Sequence, residues 1–186
     1  MPAPHPRLHR DRTAILVVDV QDRLTPAMPA DTLARLVKYA RALIHCGKVL
    51  GLPVLCTEQY PKGLGRTIPE LAELLPSPPL EKVHFSCGAD PAFQRTLETT
   101  GRKQVVVTGM ETHVCVFQTT RDLVAQGYDV HVCADAVSSR TEEHRVRGLE
   151  LARQAGAVVT TAETAIFDLL HQAATPEFKA VSPWVK

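Results

Sequence analysis

The chain has 186 residues, 45% hydrophobic and 22% charged, which fits one globular domain with a sizeable core and leaves little room for two. Its 21 basic and 20 acidic residues leave a net charge of +1, so no long-range field gathers nucleic acid or an acidic membrane surface. No apolar run approaches the roughly 18 residues that a membrane-spanning helix needs.

Residues 1–12 are rich in Pro, His and Arg and carry no apolar segment, so they read as a flexible N-terminal arm rather than a secretory leader, ahead of a domain over 13–186. Residues 14–20 (AILVVDV) form a near-continuous β-branched run, the mark of a strand covered on both faces. Asp31 or Thr32 starts a helix in which Leu33, Leu36, Val37, Ala40, Leu43 and Ile44 recur every three or four residues, and Gly51 and Pro53 end it. A second strand follows over 54–57. From 58 to 79 the pattern breaks into Pro and Gly, with one short helical stretch over 68–75; a loop of that length inside a compact domain is usually functional or disordered.

A third strand is expected over 82–85, then a helix capped by Asp90 and stopped by Gly101. Residues 104–109 (QVVVTG) read as a buried strand, 112–126 as a helix, 128–134 as a strand and 142–155 as a helix. A last strand over 157–161 and a helix over 163–171 complete the order. The alternation implies a three-layer α/β/α domain around a mostly parallel six-stranded sheet, in which ligands bind at the carboxyl ends of the strands. Five scattered cysteines (Cys46, Cys56, Cys87, Cys115, Cys133) with no CxxC pair argue against a disulfide framework or a zinc site and for reduced thiols in a cytoplasmic setting.

Three strand ends carry reactive side chains. Asp19 lies in an apolar run, where a carboxylate is costly unless paired or working; a cap or a buried ion pair is the plainer reading. Cys115 follows the strand-ending Gly109 by six residues, and with Thr112 as cap it would sit in the first turn of a helix, where free amides and the helix dipole favour a thiolate and could hold an oxyanion. A small buried hydrophobe is the alternative role for this cysteine. Lys82, opening the third strand, would depress the thiol pKa and offset the carboxylate if the three side chains meet.

Three segments in this order (Val17-Val18-Asp19-Val20-Gln21, Lys82 with Phe85-Ser86, and GMETHVCV over 109–116) resemble the isochorismatase-like cysteine hydrolase superfamily, as do Asp135 to Arg140 and Ala155-Gly156-Ala157. The stretch TEQYPKGLG over 57–65 is similar to the subgroup of isochorismatase domain-containing proteins. The resemblance implies Cys115 as nucleophile, Asp19 as general base and then acid, and Lys82 as electrostatic partner. It also implies a cis peptide at Met110–Glu111 and an oxyanion hole from the Glu111 and Cys115 amides.

Members that cleave the isochorismate vinyl ether lack a nucleophile at the cysteine position, so Cys115 argues against that reaction. Nicotinamidases in the superfamily hold a metal through an Asp-x-His unit; the matching place here reads Glu58-Gln59-Tyr60, so neither metal nor cofactor is expected. Gln21, Tyr60, Phe85 and His113 are candidate substrate contacts, with core packing the alternative for the aromatic residues and for His113. The reading that follows is a hydrolase of an amide or related C–N bond in a small molecule, homo-oligomeric and without nucleic-acid or membrane partners. An interaction or regulatory protein that keeps the fold but not the activity is the competing reading.

Overall fold

The computed structural model describes residues 7–186. Six parallel strands run β1 (Thr13–Val18), β2 (Val54–Gln59), β3 (Leu80–Lys82), β4 (Gln104–Met110), β5 (Asp129–Ser138) and β6 (Val158–Thr160). They lie side by side in the order β3-β2-β1-β4-β5-β6, so the chain winds outward from β1 to one edge and then returns to build the other half from β4. This is the doubly wound arrangement, and its crevice opens where the order reverses, between the carboxyl ends of β1 and β4.

Residues of β1 alternate between the two faces. Ile15 and Val17 join Leu36, Leu43, Ile44, Ile166 and Leu169 in one apolar cluster. Ala14, Leu16 and Val18 join Phe93, Leu97, Leu123 and Val107 in the other. The helices supplying those clusters are α1 (Ala30–Leu50), α4 (Pro91–Thr99), α5 (Phe117–Ala125), α6 (Glu142–Gln154) and α7 (Ala162–Leu170); α2 (Pro61–Leu64), α3 (Pro69–Ala72) and α8 (Pro176–Val181) are short. Sheet, two flanking layers and six parallel strands are as the periodicity predicts. Asp90 caps α4 as expected, accepting from the Ala92 and Phe93 amides.

Several boundaries differ from the sequence reading, and β2, expected over 54–57, runs on to Gln59. β3 covers Leu80–Lys82 instead of 82–85, because the chain leaves the sheet once Lys82 turns inward. β5 runs on to Ser138, its pairing with β4 shifting register between Val107 and Gly109. The segment after β4 opens with a π-type turn, Thr112–Val116, before α5 starts at Phe117. Finally, the end of the expected arm is tied down. Leu8 is buried and its amide donates to Asp168, while Arg10 donates to the Leu169 and Leu170 carbonyls, which lack helical partners at the end of α7. The expectation for residues 1–6 lies outside the described residues.

The long segment after β2 is sewn down by one buried carboxylate. Glu58 accepts from the Thr67 amide (2.7 Å), the Thr67 hydroxyl (2.8 Å) and Arg66 Nη1 (2.9 Å), and Arg66 also reaches Glu81. Burial alone would raise the Glu58 pKa, but the Thr67 amide, Arg66 and the Thr67 hydroxyl outweigh it and hold the carboxyl below its ordinary 4.5. A depressed carboxyl pKa adds stability in full above the unfolded value, and that stability drains as pH falls through the folded value. Glu58→Gln is therefore expected to lower stability by about 1–3 kcal/mol at neutral pH. It should also shrink the difference between urea midpoints at pH 7 and pH 4.

Candidate active site

Asp19 follows β1 directly, in a left-handed backbone conformation (φ 51°) that turns its carboxylate into the crevice. It has no solvent exposure. Its Oδ1 accepts from the Thr57 hydroxyl at 2.8 Å and its Oδ2 from Lys82 Nζ at 2.7 Å. Lys82, also buried, has three N–H groups and four acceptors around them: Asp19 Oδ2, Gln59 Oε1 (2.8 Å) and the carbonyls of His84 (3.1 Å) and Phe85 (3.2 Å). Burial pulls the ammonium pKa down, yet the Asp19 charge outweighs that, so its pKa is raised and it stays charged. Taking either partner away would strand a buried charge, a loss of about 3–5 kcal/mol.

Cys115 enters from β4. Gly109, near the end of that strand, has φ 124°, and a Cβ there would lie 2.1 Å from the Val18 carbonyl oxygen, so only glycine lets β4 pass β1 this closely. The Met110–Glu111 peptide is cis, as the resemblance implies. The expected Thr112 cap is absent: Glu111 holds the cap position without a side-chain cap bond, and the Thr112 hydroxyl is buried with no hydrogen-bond partner. Tertiary packing decides this, because α6 rests on the turn, and a Cβ at Gly148 would lie 2.7 Å from backbone atoms of Thr112 and His113.

Asp19 and Cys115 line one cavity of about 90 Å³ together with Gln59, Phe85, Glu111, Leu24, Leu64 and Val114. Contrary to a thiol lowered by its surroundings, burial raises the Cys115 pKa most, the Asp19 charge adds to it, and Lys82 only partly opposes them. The Cys115 thiol is thus held above its ordinary range beside the Asp19 carboxylate.

Phe85 belongs to the cavity wall. Gln21 does not contact the cavity: it is fully buried, its amide nitrogen donating to the Gln59 and Gly65 carbonyls and its oxygen accepting from the Gln59 amide. It positions Gln59 instead. Tyr60 is 53% exposed and lines a separate cleft with Lys62 and Val83. His113 packs against His144 (4.3 Å between ring centroids) and pairs with Ser139, outside the cavity.

Thr57 and Gln59 are the residues sequence reasoning missed. Their signal was two buried polar side chains closing an apolar strand, inside a motif noted only for its resemblance. Glu58-Gln59-Tyr60, where a metal unit would fall, is otherwise committed: Glu58 to Thr67 and Arg66, Gln59 to Lys82. Cys87 lies behind the site, 3.6 Å from the Thr57 hydroxyl, its thiol pushed up to about 11 by burial and then by Asp19. Asp135 accepts from the Ala162 amide at the start of α7, and Arg140 pairs with Glu111 at 3.0 Å, so this loop serves as a cap and an ion-pair partner.

An Isochorismatase domain model matches residues 13–164. The chain is 40% identical to a secreted isochorismatase effector of Phytophthora sojae, covering 97% of this chain and 87% of that protein. It is 35% identical to mouse isochorismatase domain-containing protein 2A, covering 97% and 85%. The solved structure of a MAR1 ribonuclease from Caenorhabditis elegans superposes with a TM-score of 0.90 at 37% identity, covering 97% and 92%. Since one such relative is secreted, unpaired cysteines do not by themselves assign a compartment; among the described residues all five are free, and no helix is long and apolar enough to cross a membrane.

The ordering of charges around Cys115 has a measurable sign. Replacing Asp19 by Asn removes a charge that raises the thiol pKa and leaves Lys82 to lower it. The thiolate absorbance of Asp19→Asn, taken as a difference against the same variant carrying Cys115→Ala, should appear at lower pH than in the parent. A midpoint that stays or rises would mean that Asp19 does not control this thiol.

Proposed function

Because the chain belongs to the isochorismatase domain family, we propose that it is a cysteine hydrolase that cleaves an amide or related C–N bond of a small molecule through a thioester on Cys115. The observation that carries this reading is the placement of Asp19 and Cys115 on one small cavity, with Lys82 on the carboxylate's other oxygen.

In the first half-reaction Cys115 Sγ attacks the carbonyl carbon while its proton passes to Asp19. Neutral thiol and adjacent carboxylate are the right resting partners for that transfer, and no thiolate has to be stored. Negative charge then builds on the carbonyl oxygen, which the Glu111 and Cys115 amides would receive, since they lie in the turn after β4, where the first N–H groups of a helical segment lack helical acceptors. As the C–N bond breaks, Asp19 returns the proton to the leaving nitrogen. In the second half Asp19 takes a proton from water, the resulting hydroxide attacks the thioester, and the carboxylic acid leaves as Sγ regains its proton. Lys82 moves no proton; it holds the Asp19 carboxylate in place and limits how far its basicity swings.

The ribonuclease named among the similar structures raises phosphodiester cleavage as an alternative chemistry. The lining here favours carbonyl chemistry instead, because two of its residues, Asp19 and Glu111, are acidic and none is basic. Cys115→Ala is expected to abolish amide turnover, and Asp19→Asn to lower kcat by about 10²–10⁴-fold. A thioester should be trapped on Cys115 and seen as a mass increase of the intact protein. Full activity in Cys115→Ala, or Cys115-dependent cleavage of RNA with none of amides, would sink the reading.

A further inference from the structure

The reaction cavity restricts charge and size more narrowly than the hydrolase reading requires. Its apolar wall is Leu24, Leu64, Phe85 and Val114, and its ionisable members besides Cys115 are Asp19 and Glu111. A substrate carboxylate would need a cationic partner there. Lys82 is the nearest cation, but its three N–H groups face four acceptors supplied by the protein, and it does not reach the lining. Arg140 is spent on Glu111 and also lies outside the lining. An anionic acyl group would thus meet two carboxylates and no free donor cation, in a setting where unpaired charge is expensive to bury.

Volume sets the second limit. The cavity holds about 90 Å³, whereas a cavity of about 150 Å³ is the size that accepts benzene. The enclosed end of the pocket beside Cys115 therefore suits a chain of a few carbons better than a six-membered ring. Lys62 lines a separate cleft, with Tyr60 and Val83, rather than this cavity.

We propose that the acyl part of the substrate is uncharged and short, so that the enzyme acts on small neutral aliphatic amides in preference to carboxylate-bearing and aromatic ones. This rests on the hydrolase reading above, and it assigns a recognition role to Leu64. That side chain comes from the short helix α2, stands outside both main apolar clusters and lines the same cavity as Cys115.

The test separates pocket from catalysis by using alkylating probes that need no turnover. The intact protein is treated with iodoacetamide or iodoacetate, and the labelling of Cys115 is followed by peptide mass spectrometry, each rate divided by that of glutathione with the same reagent. The normalised preference for the neutral probe should be at least tenfold, and Leu64→Lys should reduce it severalfold by supplying the missing cation. In parallel, acetamide, propanamide, butanamide, hexanamide, benzamide and succinamate are offered as substrates. Turnover should be fastest for the first three, and Leu64→Ala should move the optimum toward longer chains.

Equal normalised labelling by the two probes, or Cys115-dependent turnover of benzamide or succinamate as fast as that of the first three, would overturn the proposal while leaving the hydrolase intact. A strong probe preference with no turnover of any amide would support the pocket's selectivity and count against the hydrolase reading instead.

Discussion

A lysine and an aspartate held 2.7 Å apart with essentially no solvent contact organise this end of the molecule. Removing two such charges from water costs several kcal/mol each, and their attraction offsets this only if the remaining donors and acceptors are also satisfied. Here they are. Thr57 takes the second oxygen of Asp19, while Gln59 and two carbonyls take the rest of the ammonium. Those carbonyls belong to His84 and Phe85, so the chain after Lys82 has to curl round the ammonium rather than continue as a strand. β3 is short for that reason, and the same curl delivers Phe85 to the cavity wall. The ion pair also bears on the Cys115 thiol, whose pKa burial and Asp19 push up and Lys82 partly pulls down.

The sheet order explains why these groups meet. Asp19 and Cys115 are almost a hundred positions apart, but β1 and β4 are neighbours at the point where the winding reverses, so the loops leaving both strands face the same crevice. Two glycines make the approach possible: Gly109 lets β4 pass the Val18 carbonyl, and Gly148 lets α6 press on the turn that carries Cys115. Both are backbone constraints exerted on the site from outside it. Glu58 does the matching work on the other flank, where its contacts with Thr67 and Arg66 hold the segment that brings Leu64 over the cavity.

Where the sequence pattern was strong, the structure follows it closely. The run ILVV and the run VVV are central buried strands, and α1 presents Leu36, Leu43 and Ile44 inward as their spacing predicts. Errors fall where a tertiary contact overrides a local cue. Thr112 has the composition of a cap but lies under α6. Leu8 and Arg10 look like part of a loose arm, yet they dock on the end of α7. Gln21, Tyr60 and His113 are, with Phe85, the candidate substrate contacts that the sequence suggests. Only Phe85 faces the cavity; Gln21 bonds to backbone, Tyr60 turns to another cleft and His113 stacks on His144.

The amino-acid sequence alone determined the layered parallel α/β architecture, because burial periodicity is a property of the chain itself, and its resemblance to a known family singled out Asp19, Lys82 and Cys115, which the fold brings to one end of the sheet. The order of the strands, the ring of acceptors around Lys82, the raised pKa of the Cys115 thiol and the size and charge of the cavity were decided only in three dimensions. Each of these depends on the distance between side chains far apart in the chain, and on how much water is excluded between them. Local periodicity carries no record of either quantity.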